Sequence, residues 1–320
     1  MAFAPVVLFV YNRPSHTLQT LTALSENELA KDTVLYVYAD GAKEGSSSEQ
    51  FQRIREVRDL VKSKPWCKEV ILIERNTNKG LAGSIIEGVT EVVNNHGNVI
   101  VLEDDLLTSR FFLKYMHEAL DMYESKESVI SISGYTYPMS DLPELYFNKG
   151  ANCWGWATWK RGWDLFEPDG EKLLAELEKV GMEHVFDLHG SYGYKQMLQD
   201  QIEGKNNSWA IRWYASAFLK NKFTLNPGKS LVQNIGFDGT GTHCGDAGLD
   251  GQLSQSPVRM RNIPVKETRA IRIKLFKLFK EQGYPGYNEQ RSGLLKINDY
   301  LNFIKSGSFL FRLARKVKSR

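Results

Sequence analysis

Four short apolar runs, each rich in β-branched or aromatic residues and each ending in polar or charged ones, constrain this chain more than any other feature. They are PVVLFVY (5 to 11), TVLYVYA (33 to 39), EVILIER (69 to 75) and NVIVLE (98 to 103). Continuous apolar runs of this length predict strands buried on both faces, since a strand with one wet face alternates instead. Between them a 3.6-residue rhythm predicts helices. PSHTLQTLTALSENELA opens on Pro14 and Ser15, SSSEQFQRIREVRDLVKS carries a serine cap, and SIIEGVTEVVNNHG closes on Gly97. Strand and helix alternating four times predict a parallel α/β sheet to about residue 105.

Beyond it, SRFFLKYMHEALDMYES predicts an amphipathic helix and VISISGYTY another strand. Residues 146 to 168 hold four of the seven tryptophans among glycines; 171 to 220 read as helices, and LNPGKSLVQNIGFDGTGTHCGDAG as a glycine-rich loop region. The net charge of +3 argues against a general nucleic-acid binder, yet the charge is segregated: from Val258 to Arg320 there are 16 Lys or Arg against 4 Asp or Glu. Such a basic tail on an acidic body suits an anionic surface or partner. Three distant cysteines, Cys67, Cys153 and Cys244, suggest neither a disulfide framework nor a zinc site, and a reducing compartment suits them. FAPVVLFVY lacks a preceding basic region and is too short to span a bilayer, so it reads as a first strand, not a signal peptide.

In an open parallel sheet, ligands bind beyond the carboxyl ends of the strands. Asn12, Arg13 and Pro14 follow the first strand, Asp40 and Gly41 the second, Arg75, Asn76, Asn78, Lys79 and Gly80 the third, and Glu103, Asp104 and Asp105 end the fourth. Three adjacent carboxylates at a strand mouth need a cation. Mg²⁺ or Mn²⁺ suits them, being held by one or two carboxylates plus phosphate oxygens and water. Strand alternation would turn Glu103 and Asp105 to one side and Asp104 to the other. The bland alternative is that the acids cap a helix starting near Thr108. With neither GxGxxG after the first strand nor GxxxxGK[ST] anywhere, Arg13 and Lys79 are the candidates to bind a diphosphate, or else ordinary surface cations.

In order and spacing, VVLFVYNRP, YVYADG, RNTNKGLAGSIIEGV and VIVLEDDL resemble the nucleotide-sugar-dependent glycosyltransferases of the GT-A fold. The chain is similar both to the bacterial family-2 inverting enzymes and to the N-acetylglucosaminyltransferase I family with its Glu-Asp-Asp motif. GANCWGWATWKRGWDLFEP resembles the start of their acceptor half, and the likeness covers roughly residues 5 to 245. It implies a GT-A type, Rossmann-like α/β fold with a mixed, mostly parallel sheet flanked by helices. The expected division is a catalytic domain over 1–257, with a donor half about 1–107 and an acceptor half about 108–257, then a basic helical extension over 258–320. Carried over, the resemblance sets Asn12 and Arg13 on the uracil or diphosphate side, Asp40 on the base and Glu103 near the ribose. Asp104 falls near the donor sugar or its water, Asp105 becomes the best metal ligand, and Asn78, Lys79 and Gly80 line the donor site.

An inverting transfer also needs a carboxylate to take the acceptor proton. In the resembling families it sits in the acceptor half, sometimes beside a tryptophan, but here Ala210 and Ile211 follow Trp209. Asp200 and Glu203 are the nearest substitutes, with Asp164 and Asp238 as further candidates. His243 is the candidate to complete the metal shell, as some GT-A enzymes use a late histidine. Trp154 and Trp156 could offer flat faces to acceptor sugars; several of the tryptophans are spaced for one side of a short helix. In TRAIRIKLFKLFKEQG, Ile271, Leu275, Leu278 and Phe279 share a helical face under a basic rim, and SFLFRLARKVKSR repeats the pattern. Such helices lie on an anionic bilayer or pack on their own domain.

The reading is a metal-dependent (Mn²⁺ or Mg²⁺) glycosyltransferase, inverting, moving a hexosyl or N-acetylhexosaminyl group from a UDP-sugar to a glycan or lipid-linked glycan in polysaccharide biosynthesis. It is expected in the cytoplasm, with peripheral contact at the inner face of the membrane through the basic C-terminal region. One rival is a non-catalytic nucleotide- or carbohydrate-binding protein of the same fold. The other is a sugar nucleotidyltransferase, which would want a glycine-rich basic loop where YNRPSHT stands.

Overall fold

A computed structural model describes residues 3–238 and 252–282 of the chain. Strands β1 (Val6–Val10), β2 (Val34–Ala39), β3 (Glu69–Glu74) and β4 (Asn98–Glu103) run parallel in the order β3-β2-β1-β4. Helices α1 (Pro14–Ser25), α2 (Ser48–Lys62) and α3 (Gly80–His96) connect them. There follow β5 (Leu106–Thr108), α4 (Phe112–Tyr123), β6 (Val129–Ser133), β7 (Leu145–Lys149), β8 (Trp156–Trp159) and α5 (Lys160–Trp163). A helical block comes next: α6 (Gly170–Val180), α7 (Glu183–Phe186), α8 (Tyr194–Ile202) and α9 (Trp209–Leu219). The described chain ends with β9 (Phe223–Pro227), β10 (Val232–Asn234) and α10 (Arg269–Gln282). The main sheet reads β3-β2-β1-β4-β8-β6-β9-β7, and β5 and β10 form a separate antiparallel ribbon. Pairings of β8 with β4 and β6, and of β7 with β9, are antiparallel, while β6 and β9 are parallel. The mixed, mostly parallel sheet flanked by helices is the expected fold class.

The four strands form where the apolar runs place them; β1, β2 and β4 are covered on both faces, whereas β3, at the edge of the sheet, is only half-buried, a correction to the expectation of four strands buried on both faces. Val6, Leu8 and Val10 of β1 pack with Leu21 and Leu24 of α1 and Val57 of α2 on one side; Val7 and Phe9 pack with Ile85, Val89 and Val93 of α3 on the other. Helix starts and stops follow local chemistry. Pro14 opens α1, where a missing N–H costs nothing. Ser47 and Gln50 close a reciprocal capping box on α2, and Gly97, at φ +81°, ends α3 with its N–H on the Val93 carbonyl at 2.8 Å.

A further expectation is corrected: around the tryptophans the chain forms β8 before the one-turn α5, so Trp156 and Trp159, three residues apart, face opposite sides of the sheet and enter different cores. Past residue 257, Val258, Met260, Ile263 and Val265 pack on the main core, and Glu267 bridges to Phe147 of β7. In α10, Ile271, Leu275 and Phe279 are buried against Tyr146 and Leu188, so this helix turns its apolar face to its own domain, not to a bilayer. The second basic segment, SFLFRLARKVKSR, lies outside the described residues, among which no helix is long and apolar enough to cross a membrane.

If α10 is part of the domain, Phe279→Ala should lower unfolding stability by about 3 kcal/mol, as truncation of a buried aromatic does. Urea denaturation of the full chain measures it. An unchanged midpoint would mean the helix is not docked in solution.

Candidate active site

Because β1 and β4 are neighbours, with Phe9 opposite Glu103, the residues following each strand meet. Beyond Glu103 the chain turns at residues 104 and 105 before entering β5. Strand alternation therefore stops at Glu103, and Asp104 and Asp105 both reach the same partner. Arg13 Nη2 bonds Asp104 Oδ1 and also Asp105 Oδ2 at 2.9 Å, while Nε donates to Asp104 Oδ2 at 3.3 Å. The turn is held from behind: Thr20 Oγ1 donates to the Asp104 carbonyl at 2.8 Å, and the Ile235 N–H to the Asp105 carbonyl at 2.8 Å. The acids therefore do not cap a helix at Thr108, which is in β5; α4 begins only at Phe112.

The electrostatics follow from burial. Glu103 is pushed well above the carboxylate range by desolvation, then by the Asp105 and Asp104 charges, against the pull of Arg13. Asp104, only 5% exposed, is raised by burial to about 6 although Arg13 opposes the rise, so it remains ionised at neutral pH. Burial alone would lower the Arg13 pKa; the Asp104 and Asp105 charges and hydrogen bonds overcome it and raise the value. The remaining guanidinium nitrogen, Nη1, is shut off from water and meets no acceptor. A buried donor left unmatched beside a carboxylate pair is the kind of group a ligand oxygen satisfies.

The second wall is made of two loops pressed together. Asp40 Oδ1 accepts the N–H groups of Gly41 and Lys79, and Oδ2 that of Gly80, each at 2.9 Å. Since α3 has no side-chain cap of its own, Asp40 supplies one from the end of β2. A Cβ on Gly41 would lie 2.6 Å from the Thr77 backbone, and Asn78 Nδ2 donates to the Gly41 carbonyl at 2.8 Å. Asp40 thus fastens the Asn78–Lys79–Gly80 loop to the end of β2. Lys79 Nζ pairs with Glu87 at 3.2 Å, and Asn12 lies partly exposed beside Arg13.

A third wall carries residues the sequence left scattered. Gly236 packs on Asp105 Oδ2 so closely that it has no room for a Cβ. Two residues on, Asp238 Oδ2 lies 3.2 Å from Nε2 of His16, a buried residue of α1 that nothing in its local pattern marks as functional. Trp154 stands edge-on to Phe237 at 5.7 Å and to Tyr135 at 4.7 Å. The adjacent Cys153 thiol is raised to about 12 by burial, then by the Glu103 charge, so it is not a nucleophile at neutral pH.

Other candidates lie elsewhere. Trp156 is fully buried in a cluster with Trp163, Trp209 and Trp213, so it has no face to offer a sugar. Asp200 and Glu203, at the end of α8, are engaged with Lys205, and Asp200 also accepts from Gln196. Neither bonds to the acid turn, because α8 packs in the α6–α9 block and not at the strand ends. Asp164 is exposed and pairs with Lys160. His243 lies outside the described residues.

No family model and no curated protein matches the sequence. Among solved structures, the chain is similar to S. aureus TarS 1–349 in complex with UDP-GlcNAc: 13% identity over 72% of this chain and 58% of that one, TM-score 0.40. It is also similar to the mannosyltransferase PcManGT from Pyrobaculum calidifontis in complex with GDP-Man and Mn²⁺, at 16% identity over 42% and 36% of the two chains, TM-score 0.31. A third is glucosyl-3-phosphoglycerate synthase from Mycobacterium tuberculosis with Mn²⁺, UDP-Glc and phosphoglyceric acid, at 10% identity over 52% and 58%, TM-score 0.31. The chain spans less than two thirds of the length of each.

Asp40→Ala removes the acceptor of three backbone N–H groups and should cost about 2 kcal/mol of stability. Urea denaturation read by circular dichroism gives the number. A cost near zero would mean the two loops are not fastened through this carboxylate.

Proposed function

We propose that the chain is a nucleotide-sugar-dependent glycosyltransferase of the GT-A type, with its donor at the strand ends between Arg13, the acid turn and the loop opening α3. The observation that supports this most is the Arg13–Asp104–Asp105 cluster, a basic fork and two anchored carboxylates in one crevice at the carboxyl ends of parallel strands. That placement is where an open sheet binds its ligand, and the unmatched Arg13 Nη1 suits a phosphate oxygen. The proposed donor is a UDP-sugar, the acceptor a glycan or lipid-linked glycan, and the outcome inversion.

The donor set also suits a divalent ion. Asp105 and Asp104 are hard oxygen donors, and among the described residues no three His, Cys, Asp or Glu side chains converge into a closed cage. Magnesium-type ions need only one or two carboxylates when phosphate and water complete the shell. Asp105, the more exposed of the pair, would hold it, with Asp104 beside it. When bound, such an ion stabilises the charge that builds on a departing diphosphate.

The protein's own groups do the remaining work. Arg13 offers planar donors to the diphosphate, and the welded loop carrying Gly80 lets backbone approach the donor. For the acceptor proton, Asp238 takes the place of Asp200 and Glu203: its side chain is 45% exposed, near the acid turn and oriented by His16. Trp154 supplies the aromatic face on the same side. A non-catalytic binder remains the second reading, favoured by Ala210 and Ile211 where related enzymes carry an acid, and turnover separates the two.

UDP-sugar with Mn²⁺ should raise the melting midpoint by mass action, beyond Mn²⁺ alone. Asp105→Asn should abolish that increment and lower transfer at least about a hundredfold; survival of both would sink the site assignment. For Asp238→Asn, kcat should fall roughly a hundredfold with donor binding kept, as loss of a proton acceptor requires. Nucleoside diphosphate binding with no turnover on any acceptor would favour the binder.

A further inference from the structure

Among the described residues, Arg13 is the cationic side chain that bonds the acid turn, where the proposed chemistry needs two positive charges in different places. Nη2 of Arg13 is shared between Asp104 and Asp105, and Nε is also on Asp104. A doubly charged ion set against Asp105 Oδ2 would therefore stand at contact distance from the guanidinium. At that separation the repulsion exceeds the thermal energy even at water-like screening and grows as screening weakens. The two cations therefore compete for that oxygen.

The carboxylates are not the parts free to yield. Both are fixed through their own carbonyls, Asp104 by Thr20 and Asp105 by Ile235, and Gly236 presses on Asp105 from the far side. The Arg13 backbone is fixed as well: its carbonyl accepts the Thr17 N–H at 3.0 Å and the Thr17 hydroxyl at 2.9 Å, and Pro14 follows it. What can move is the Arg13 side chain, a flexible stem carrying a planar fork. A diphosphate would receive that fork bidentately and satisfy Nη1, which has no acceptor in the present arrangement.

We propose that Arg13 and the divalent cation are alternative partners of the same carboxylate pair, so that metal loading and transfer of the guanidinium to the donor diphosphate are one exchange. The inference rests on the reading of the crevice as a nucleotide-sugar site. Cation and nucleoside diphosphate then bind with positive coupling beyond their direct contact. Cation binding alone displaces Arg13 with no new acceptor, whereas together the displaced fork finds one. By linkage each raises the affinity of the other by the same factor. Arg13 is a positioning and binding residue here, and its removal should strengthen the binding of one ligand while weakening that of the other.

The test uses the full chain and two probes, Mn²⁺ followed by electron paramagnetic resonance and UDP by calorimetry, each with and without the other. Relative to wild type, Arg13→Gln should bind Mn²⁺ alone about tenfold more tightly and bind UDP in Mn²⁺ about tenfold more weakly, so the coupling factor shrinks. Arg13→Lys, which keeps the charge but loses the fork, should shift both in the same directions by a few-fold, and it decides the matter if Arg13→Gln does not fold. Lys62→Gln removes an exposed charge, paired with Glu74, at the same edge of the sheet and serves as the control for net charge. Unchanged Mn²⁺ affinity in the Arg13 variants, or an equal gain in Lys62→Gln, overturns the exchange. Failure of the wild type to bind UDP with any divalent ion would overturn the site reading itself, a separate result.

Discussion

The arrangement depends on one electrostatic constraint: two adjacent carboxyl groups, Asp104 and Asp105, stand at the mouth of a buried parallel strand and are matched by a cation in contact. Arg13 supplies it from 91 residues away. It can do so because β1 pairs with β4, so the two strand ends open into one crevice. Desolvation pushes Glu103 well above the carboxylate range and raises Asp104 to about 6, a rise that the adjacent guanidinium opposes. The cluster is held in place by Thr20 and the β5–β10 ribbon, through the backbone carbonyls of the acid turn.

Around this cluster the crevice is stiffened by reuse of backbone groups. The first N–H groups of α3 would otherwise lack acceptors, and Asp40 reaches across from β2 to take them. Asp40 thereby sets the distance between the loop after β2 and the loop after β3. Gly41 is part of the same fastening, since the Thr77 backbone occupies the space of a Cβ.

The wall that carries Trp154 and Phe237 is coupled to the far end of the described chain through rings. From Phe237 a series of edge-on contacts passes through Trp154, Tyr135 and Tyr137 to Phe279 of α10, each step between 4.7 and 5.7 Å. The basic helix is therefore joined to the segment that positions Asp238. Its ion pair with Glu267, through Arg272, and the burial of Ile271 and Leu275 fix it to the body. A helix whose amphipathic pattern suits a membrane surface equally suits a protein core, because the pattern records one apolar face and not what covers it.

Elements governed by neighbours in sequence were legible from the residues alone: the positions of four strands, the Ser47 cap, the Pro14 start, the Gly97 stop, and the collection of polar residues at the strand ends; that β3 is a half-buried edge strand was not. Hydrophobic periodicity and capping act over a few residues, so they can be read without the fold. The alternatives settled by tertiary contact were not legible. Trp156 lies in a strand core instead of facing a sugar, Asp200 and Glu203 belong to a helical block away from the crevice, and His16 meets Asp238 across 222 residues of chain. The acid triplet shows both sides of this. Its need for a positive charge follows from the sequence, since adjacent carboxylates repel wherever they are placed. That Arg13 meets the need is decided only when β1 and β4 lie side by side, because attraction between charges depends on distance in space, which local sequence does not specify.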